Sequence, residues 1–208
     1  REGDACVLFN GDGNDYAARI ASAGKREVVV EILGSEPVGN ESPLRITLVQ
    51  GIARGEKMDL ILQKATELGV AAIVPVVAER TEVKLDAERT EKRMAHWRSV
   101  VASACEQSGR ARMPSIAAPA SLAEAAQLIT DALKLVLDPA GEHSLASLSA
   151  PVSAVALGIG PEGGWSPRDR EILRASGYLG LQLGPRVLRT ETAGLAAIAA
   201  LQSRFGDL

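Results

Sequence analysis

The chain has 208 residues, of which 46% are hydrophobic and 24% charged, with a formal net charge of −3. That length holds one good-sized domain plus a smaller one, and the acidic balance excludes wholesale coating of nucleic acid while leaving room for a local basic face. No apolar run reaches membrane-spanning length and no signal-peptide pattern opens the chain, so neither a membrane partner nor an exported protein is expected.

Arg1 stands where an initiator methionine would, which reads as a beginning cut short. Residues 1–40 carry 4 basic and 7 acidic side chains and look all-β. Residues 5–10 and 28–33 read as strands, with Asn10-Gly-Asp-Gly-Asn14 as a hairpin-type turn. Two or three strands make only part of a barrel. Residues 34–43, with their Gly, Pro, Ser and Asn, read as a linker. The expected division is therefore a partial β-barrel over 1–40 and a main domain over 41–208.

From Leu44 the rhythm becomes strand, helix, strand. Residues 44–50 are strand-like. Met58, Ile61, Leu62, Ala65 and Leu68 then recur at helical spacing, closed by Gly69. Residues 71–77 form the next expected strand, and 87–107 a long helix with Met94, Trp97, Val101 and Ala104 on one face. Ser121-Leu-Ala-Glu124 is a capping-box signature. Residues 133–137, 152–157 and 178–183 supply more strands. Ser166-Pro167 opens a helix, and a last helix runs from about Thr190 through Leu201. Such alternation predicts an α/β fold with a mainly parallel sheet.

Cys6 and Cys105 lie far apart and, with two histidines, indicate neither a disulfide framework nor a metal site. Both read as small buried hydrophobes, and a reducing cytoplasm fits. Charge is uneven: net +2 over residues 41–113 and −2 over 114–208. Most of the basic excess shares helices with acids, so a solvated helix face explains it as well as a binding surface does.

Two glycine-rich stretches dominate the C-terminal third: Gly158-Ile-Gly160-Pro-Glu-Gly-Gly164 and Leu183-Gly-Pro-Arg-Val-Leu-Arg-Thr-Glu-Thr192. Each follows a strand and leads to a helix, and glycine lets backbone come close to a ligand. Gly158, Gly160 and Gly163 match the spacing of a dinucleotide fingerprint. Against a nicotinamide or flavin site stand its late position, the absence of any Asp or Glu between Glu171 and Glu191, and Pro161, which withdraws an amide donor. A Walker loop is excluded because no Gly-Lys-Ser/Thr occurs.

Gly160-Pro-Glu-Gly-Gly164 and residues 183–193 resemble the RsmE family of ribosomal RNA uridine N3-methyltransferases. So do Lys57-Met-Asp-Leu-Ile-Leu-Gln-Lys-Ala-Thr-Glu-Leu-Gly69 and Glu106-Gln-Ser-Gly-Arg110, all in the family's order. The resemblance spans about Leu44 to Leu201. It implies a SPOUT fold, with a C-terminal trefoil knot that binds S-adenosylmethionine, behind a PUA-like barrel that residues 1–40 match in part. It also implies a homodimer, which the small side chains of Ala193, Gly194, Ala196, Ala197, Ala199 and Ala200 would suit, and the small-subunit 16S ribosomal RNA as partner.

On this reading the cofactor lies against the backbone at Gly158, Gly160, Pro161, Gly163, Gly164 and Gly184. Leu137, Leu183, Val187 and Leu188 wall the adenine; Glu162, Arg186, Thr190 and Thr192 complete the site. Arg189 and Glu191 are the catalytic candidates: the cation stabilises charge on a uracil carbonyl oxygen, and the carboxylate orients the base or takes the N3 proton. Glu191 serves equally well as a first-turn acid complementing the helix dipole. RNA contacts are expected from Arg54, Lys57, Lys64, Lys84, Arg110 and Arg112 together with the barrel. Two Phe, two Tyr and two Trp cannot build an extended stacking platform, so the uridine must be splayed into the pocket. The alternatives are a non-catalytic RNA-binding module with a degenerate pocket and a nucleotide-dependent oxidoreductase.

Overall fold

A computed structural model describes residues 1–83, 86–130, 133–149 and 152–208. The chain divides into two compact units: Arg1–Glu41 with Cys105–Met113, and Ser42–Ala104 with Pro114–Leu208. In the smaller unit, β1 (Ala5–Phe9), β2 (Asn14–Ala23) and β3 (Val28–Pro37) form an antiparallel sheet in that order. Asp12 sets the β1–β2 turn. Its Oδ1 accepts from the Asn14 amide at 2.9 Å, and its Oδ2 accepts the Tyr16 hydroxyl at 2.6 Å.

Two expectations need correction in this unit. Residues 14–23, not singled out as a strand, form β2, and residues 34–37 belong to β3 instead of the linker. The Ala-rich β2 has weak intrinsic strand preference. Pairing with β1 on one side and β3 on the other decides its conformation. Pro37 is tolerated because it ends an edge strand.

The larger unit holds a parallel sheet built from β4 (Arg45–Gly51), β5 (Ala72–Val77), β6 (Ser115–Ile116), β7 (Ala120–Ser121), β8 (Leu133–Leu137), β9 (Ala154–Ile159) and β10 (Leu179–Leu181). Its order is β10-β8-β9-β4-β5-β6, with β7 also on β5. Residues 178 and 182–183, expected within the last strand, flank the three-residue β10. The helices are α1 (Glu56–Glu67), α2 (Ala87–Ser108), α3 (Leu122–Leu128), α4 (Pro167–Ala175) and α5 (Thr190–Phe205).

Side chains alternate across a strand, and both faces of this sheet are apolar. Val49, Val76, Val136 and Ala156 share a cluster with Leu122, Ala125 and Leu173 of α3 and α4. Their chain neighbours point the other way, where α5 comes to lie: an added Cβ on its Gly194 would sit 3.5 Å from Ile159 and 3.7 Å from Gln50. Ile46, Leu48, Leu62, Ile73, Leu135, Val155, Leu157, Ile198 and Leu201 are fully buried. No helix among the described residues is long and apolar enough to cross a membrane.

Candidate cofactor and active site

β9 lies on one side of β8 and β10 on the other, so the chain reverses its direction of travel across the sheet at β8. Ligands of open α/β sheets sit beyond the strands' carboxyl ends at such a reversal. A cleft of about 490 Å³ opens there, lined from three consecutive strand ends. Leu137–Pro139 run out from the last residue of β8, residues 159–165 run out from the last residue of β9, and residues 183–191 lead from β10 into the first turn of α5.

The chain after β8 runs beside β10. Asp138 N–H donates to Leu181 O at 3.1 Å and His143 N–H to Gly180 O at 3.0 Å. Residues 160–164 cross over the end of β4, where Gly51 is required: a Cβ there would lie 2.5 Å from Pro161 N and 2.9 Å from Gly160 C. Gly164 closes the turn with its N–H on Pro161 O at 2.8 Å and takes a left-handed φ of 65°. The following helix start is fixed reciprocally. Ser166 Oγ accepts from Asp169 N, Asp169 Oδ2 accepts from Ser166 N, and Pro167 opens α4.

Polar contacts hold the two loops. Thr190 Oγ1 donates to Gly160 O at 2.6 Å and accepts from Gln50 Nε2 at 3.1 Å. Glu162 Oε1 accepts from the Arg54 amide at 3.0 Å and from Lys57 Nζ at 3.4 Å. Partial burial pushes the Glu162 carboxyl up, but these donors, its own amide and the Lys57 charge outweigh it and hold the group below its ordinary range. Arg80 Nη1 donates to Gly163 O at 3.1 Å. Asp138 is likewise partly buried, yet Arg170, the Ala140 amide and the charge of Arg174 hold its carboxyl low.

Three charged groups of the cleft are left for a ligand. Arg186 and Arg189 are exposed, and among the described residues their guanidinium groups have no carboxylate partner. Glu191 Oε2 is buried without a hydrogen-bond partner there, as is the indole N–H of Trp165. The volume, the apolar walls of Leu137, Ile159, Leu181 and Leu183, close backbone and an unspent carboxylate oxygen suit a nucleoside-like molecule that carries positive charge.

Of the expected cofactor residues, Leu137, Gly160, Pro161, Glu162, Gly163, Gly164, Leu183, Gly184, Arg186, Val187, Leu188 and Thr190 line this cleft, as do Arg189, Glu191 and Lys57. Gly158 does not; it is buried in β9 between Val49 and Val136. Thr192 is exposed on the first turn of α5, outside the lining. Arg54 pairs with Glu82, and Lys64 with Glu67 at 2.8 Å. Arg110 is only 5% exposed and grips Glu41 through Nε at 3.0 Å and Nη2 at 2.5 Å, so it is not available to a phosphate. Arg112 is exposed in the smaller unit. Lys84 lies outside the described residues.

Sequence reasoning did not single out Arg80, Asp138, Trp165 or Arg170, all of which line the cleft. Asp138 carries a usable signal, being the first residue beyond the carboxyl end of a parallel strand. The others reach the cleft only through folding.

A family described as "RNA methyltransferase domain" matches residues 40–202, and one described as "RNA methyltransferase PUA domain" matches residues 1–33. Ribosomal RNA small subunit methyltransferase E of Buchnera aphidicola subsp. Schizaphis graminum is 35% identical over 99% of this chain and 84% of its own length. A Legionella pneumophila methyltransferase, solved in complex with the bound cofactor SAM, is 42% identical with a TM-score of 0.96, covering 100% of this chain and 86% of that one. Ribosomal RNA small subunit methyltransferase E from Neisseria gonorrhoeae, bound to S-adenosyl methionine, is 41% identical with a TM-score of 0.92 over the same shares.

Proposed function

The chain belongs to the ribosomal RNA small subunit methyltransferase E family, and on that premise we propose that it methylates N3 of a uridine in 16S ribosomal RNA. It is an S-adenosylmethionine-dependent RNA methyltransferase of the SPOUT type with a PUA-like N-terminal part. The observation that carries the reading is the convergence of residues 160–164 and 183–191 on one cleft at the sheet's reversal point.

S-adenosylmethionine, when bound, supplies an electrophilic methyl group. Residues 160–164 and 183–188 would hold it through backbone amides and carbonyls, with Leu137, Leu183 and Leu188 against its adenine. The target uracil must lose its N3 proton as the nitrogen gains the methyl group. Glu191, whose Oε2 has no partner among the described residues, orients the base or accepts that proton. Arg189, two residues earlier and exposed, stabilises the negative charge developing on a uracil carbonyl oxygen. Holding uracil in line with the methyl group supplies a large share of the acceleration.

Arg54, Lys57 and Arg112 are the cations proposed to meet phosphates, with Lys64 and Lys84 as further candidates; the ion pair of Arg110 with Glu41 makes it a structural residue. A partial barrel over 1–40 and a catalytic domain over 41–208, a trefoil knot around the cleft, a homodimer packed through α5, and a cytoplasmic location complete the proposal. Incubating the chain with methyl-labelled cofactor and small ribosomal subunits tests it. Label at N3 of one uridine is expected; label at a carbon, a ribose or another base would overturn the assignment.

A further inference from the structure

We infer that Gln50 is a positioning residue for methyl transfer, setting Arg189 and Glu191 against the 160–164 loop through the hydroxyl of Thr190; the inference rests on the function proposed above. Gln50 is the penultimate residue of β4, a central strand, and is 0% exposed. Its Nε2 donates to Gly51 O at 2.8 Å and to Thr190 Oγ1 at 3.1 Å. The one hydroxyl hydrogen of Thr190 is spent on Gly160 O at 2.6 Å, so Thr190 can only accept from Gln50. Both partners of that nitrogen are therefore acceptors, which fixes which end of the amide faces them.

The consequence is an orphan. Gln50 Oε1 is buried and has no hydrogen-bond partner among the described residues. A buried acceptor without a donor costs stability, and neighbouring strand positions such as Leu48 and Val49 are plain hydrocarbon. An aliphatic side chain at position 50 would remove that orphan, though it would also take the donor from Gly51 O. What it would forfeit is the link from the sheet to Thr190, the first residue of α5, flanked by Arg189 and Glu191. Stability is given up where the sheet holds Thr190, whose hydroxyl in turn holds Gly160 of the other loop, as expected where function opposes stability.

Four variants of the chain test the tether: Gln50→Leu, Thr190→Val, which removes the hydroxyl at constant shape, their combination, and Thr190→Ser, which keeps the hydroxyl. Gln50→Leu is expected to melt within about 4 °C of wild type or above it. Its single-turnover methylation should fall about 10- to 100-fold, the usual effect of a misplaced reacting group, while cofactor affinity changes less than about threefold. Thr190→Val should slow single-turnover methylation alike while also freeing Gly160 O of the cofactor loop, Thr190→Ser should stay nearer wild type, and the double variant should be no slower than the slower single one.

Independently of turnover, amides of residues 183–190 should exchange hydrogen faster in both single variants without ligand. Unchanged exchange, additive rate losses, or a collapse of stability in step with cofactor binding would overturn the tether. Should Gln50→Leu not fold, Thr190→Val decides by turnover and hydrogen exchange. Absence of methyl transfer by the wild type would sink the proposed function instead, and the exchange measurement would still judge the tether.

Discussion

Asp138 and Arg170 meet side by side at the cleft: Arg170 Nε donates to Asp138 Oδ2 at 2.6 Å and Nη2 to Oδ1 at 3.4 Å. The pair joins the end of β8 to α4, and Oδ1 also accepts from the Ala140 amide at 3.0 Å. Despite partial burial, which acts upward, these donors hold the carboxyl below its ordinary 3.8. A carboxyl depressed on folding stabilises fully above its unfolded value, and the contribution is lost as pH falls through the lower folded value. Asp138→Asn should therefore melt about 2–4 °C below wild type at neutral pH, a cost of about 1 kcal/mol given the partly exposed arginine. Below about pH 3.8 the difference should narrow. A gap that persists unchanged at pH 3 would refute the pairing's role.

Gly51 marks where two backbones touch, so Gly51→Ala forces Pro161 and the 160–164 turn outward. Overpacking of this kind costs about 1–3 kcal/mol, and here the displaced atoms are the cofactor loop itself. The variant should fold but bind S-adenosylmethionine at least about tenfold more weakly by calorimetry, since tenfold is only 1.4 kcal/mol. Wild-type affinity would show that the crossing does not shape the site.

Two neighbouring arginines should separate cleanly. Arg110→Ala strands Glu41 and should lower stability by about 2–3 kcal/mol in thermal melts. Arg112→Ala should leave the melt near wild type, weaken RNA binding across sequences, and reduce the slope of log K against log salt by about 1. An unaltered slope would remove Arg112 from the proposed RNA surface.

The parallel sheet is legible in the chain because its strands are short apolar runs punctuated by capped helices; Ser121-Glu124 and Ser166-Asp169 both form the capping boxes their spacing predicts. The two cleft loops are legible because glycines cluster after strands. The smaller unit is less so, since β2 is held by its neighbours and not by its own residues. The fate of cations is least legible. Arg110 and Arg112 look interchangeable in the sequence, and only folding sets Glu41 against the first. Gln50 reads as one more strand residue, because its role depends on Thr190, 140 positions away.

Arg189 and Glu191 flank Thr190 at the start of α5, so their substitutions should affect chemistry more than binding. Arg189→Ala is expected to lower the methylation rate about 100-fold or more with cofactor affinity within about threefold, as for loss of a group that acts on developing charge. Glu191→Gln should slow the reaction. Near-normal turnover of Arg189→Ala would eliminate it as a catalytic group.

The most direct measurement is a crystal structure of the 208-residue chain grown with S-adenosylmethionine. The donor should lie between residues 160–164 and 183–191, its adenine against Leu137 and Leu183 and its methyl group facing the Arg189–Glu191 side. Density for the donor elsewhere, or a closed cleft with no donor at saturating concentration, would contradict the account.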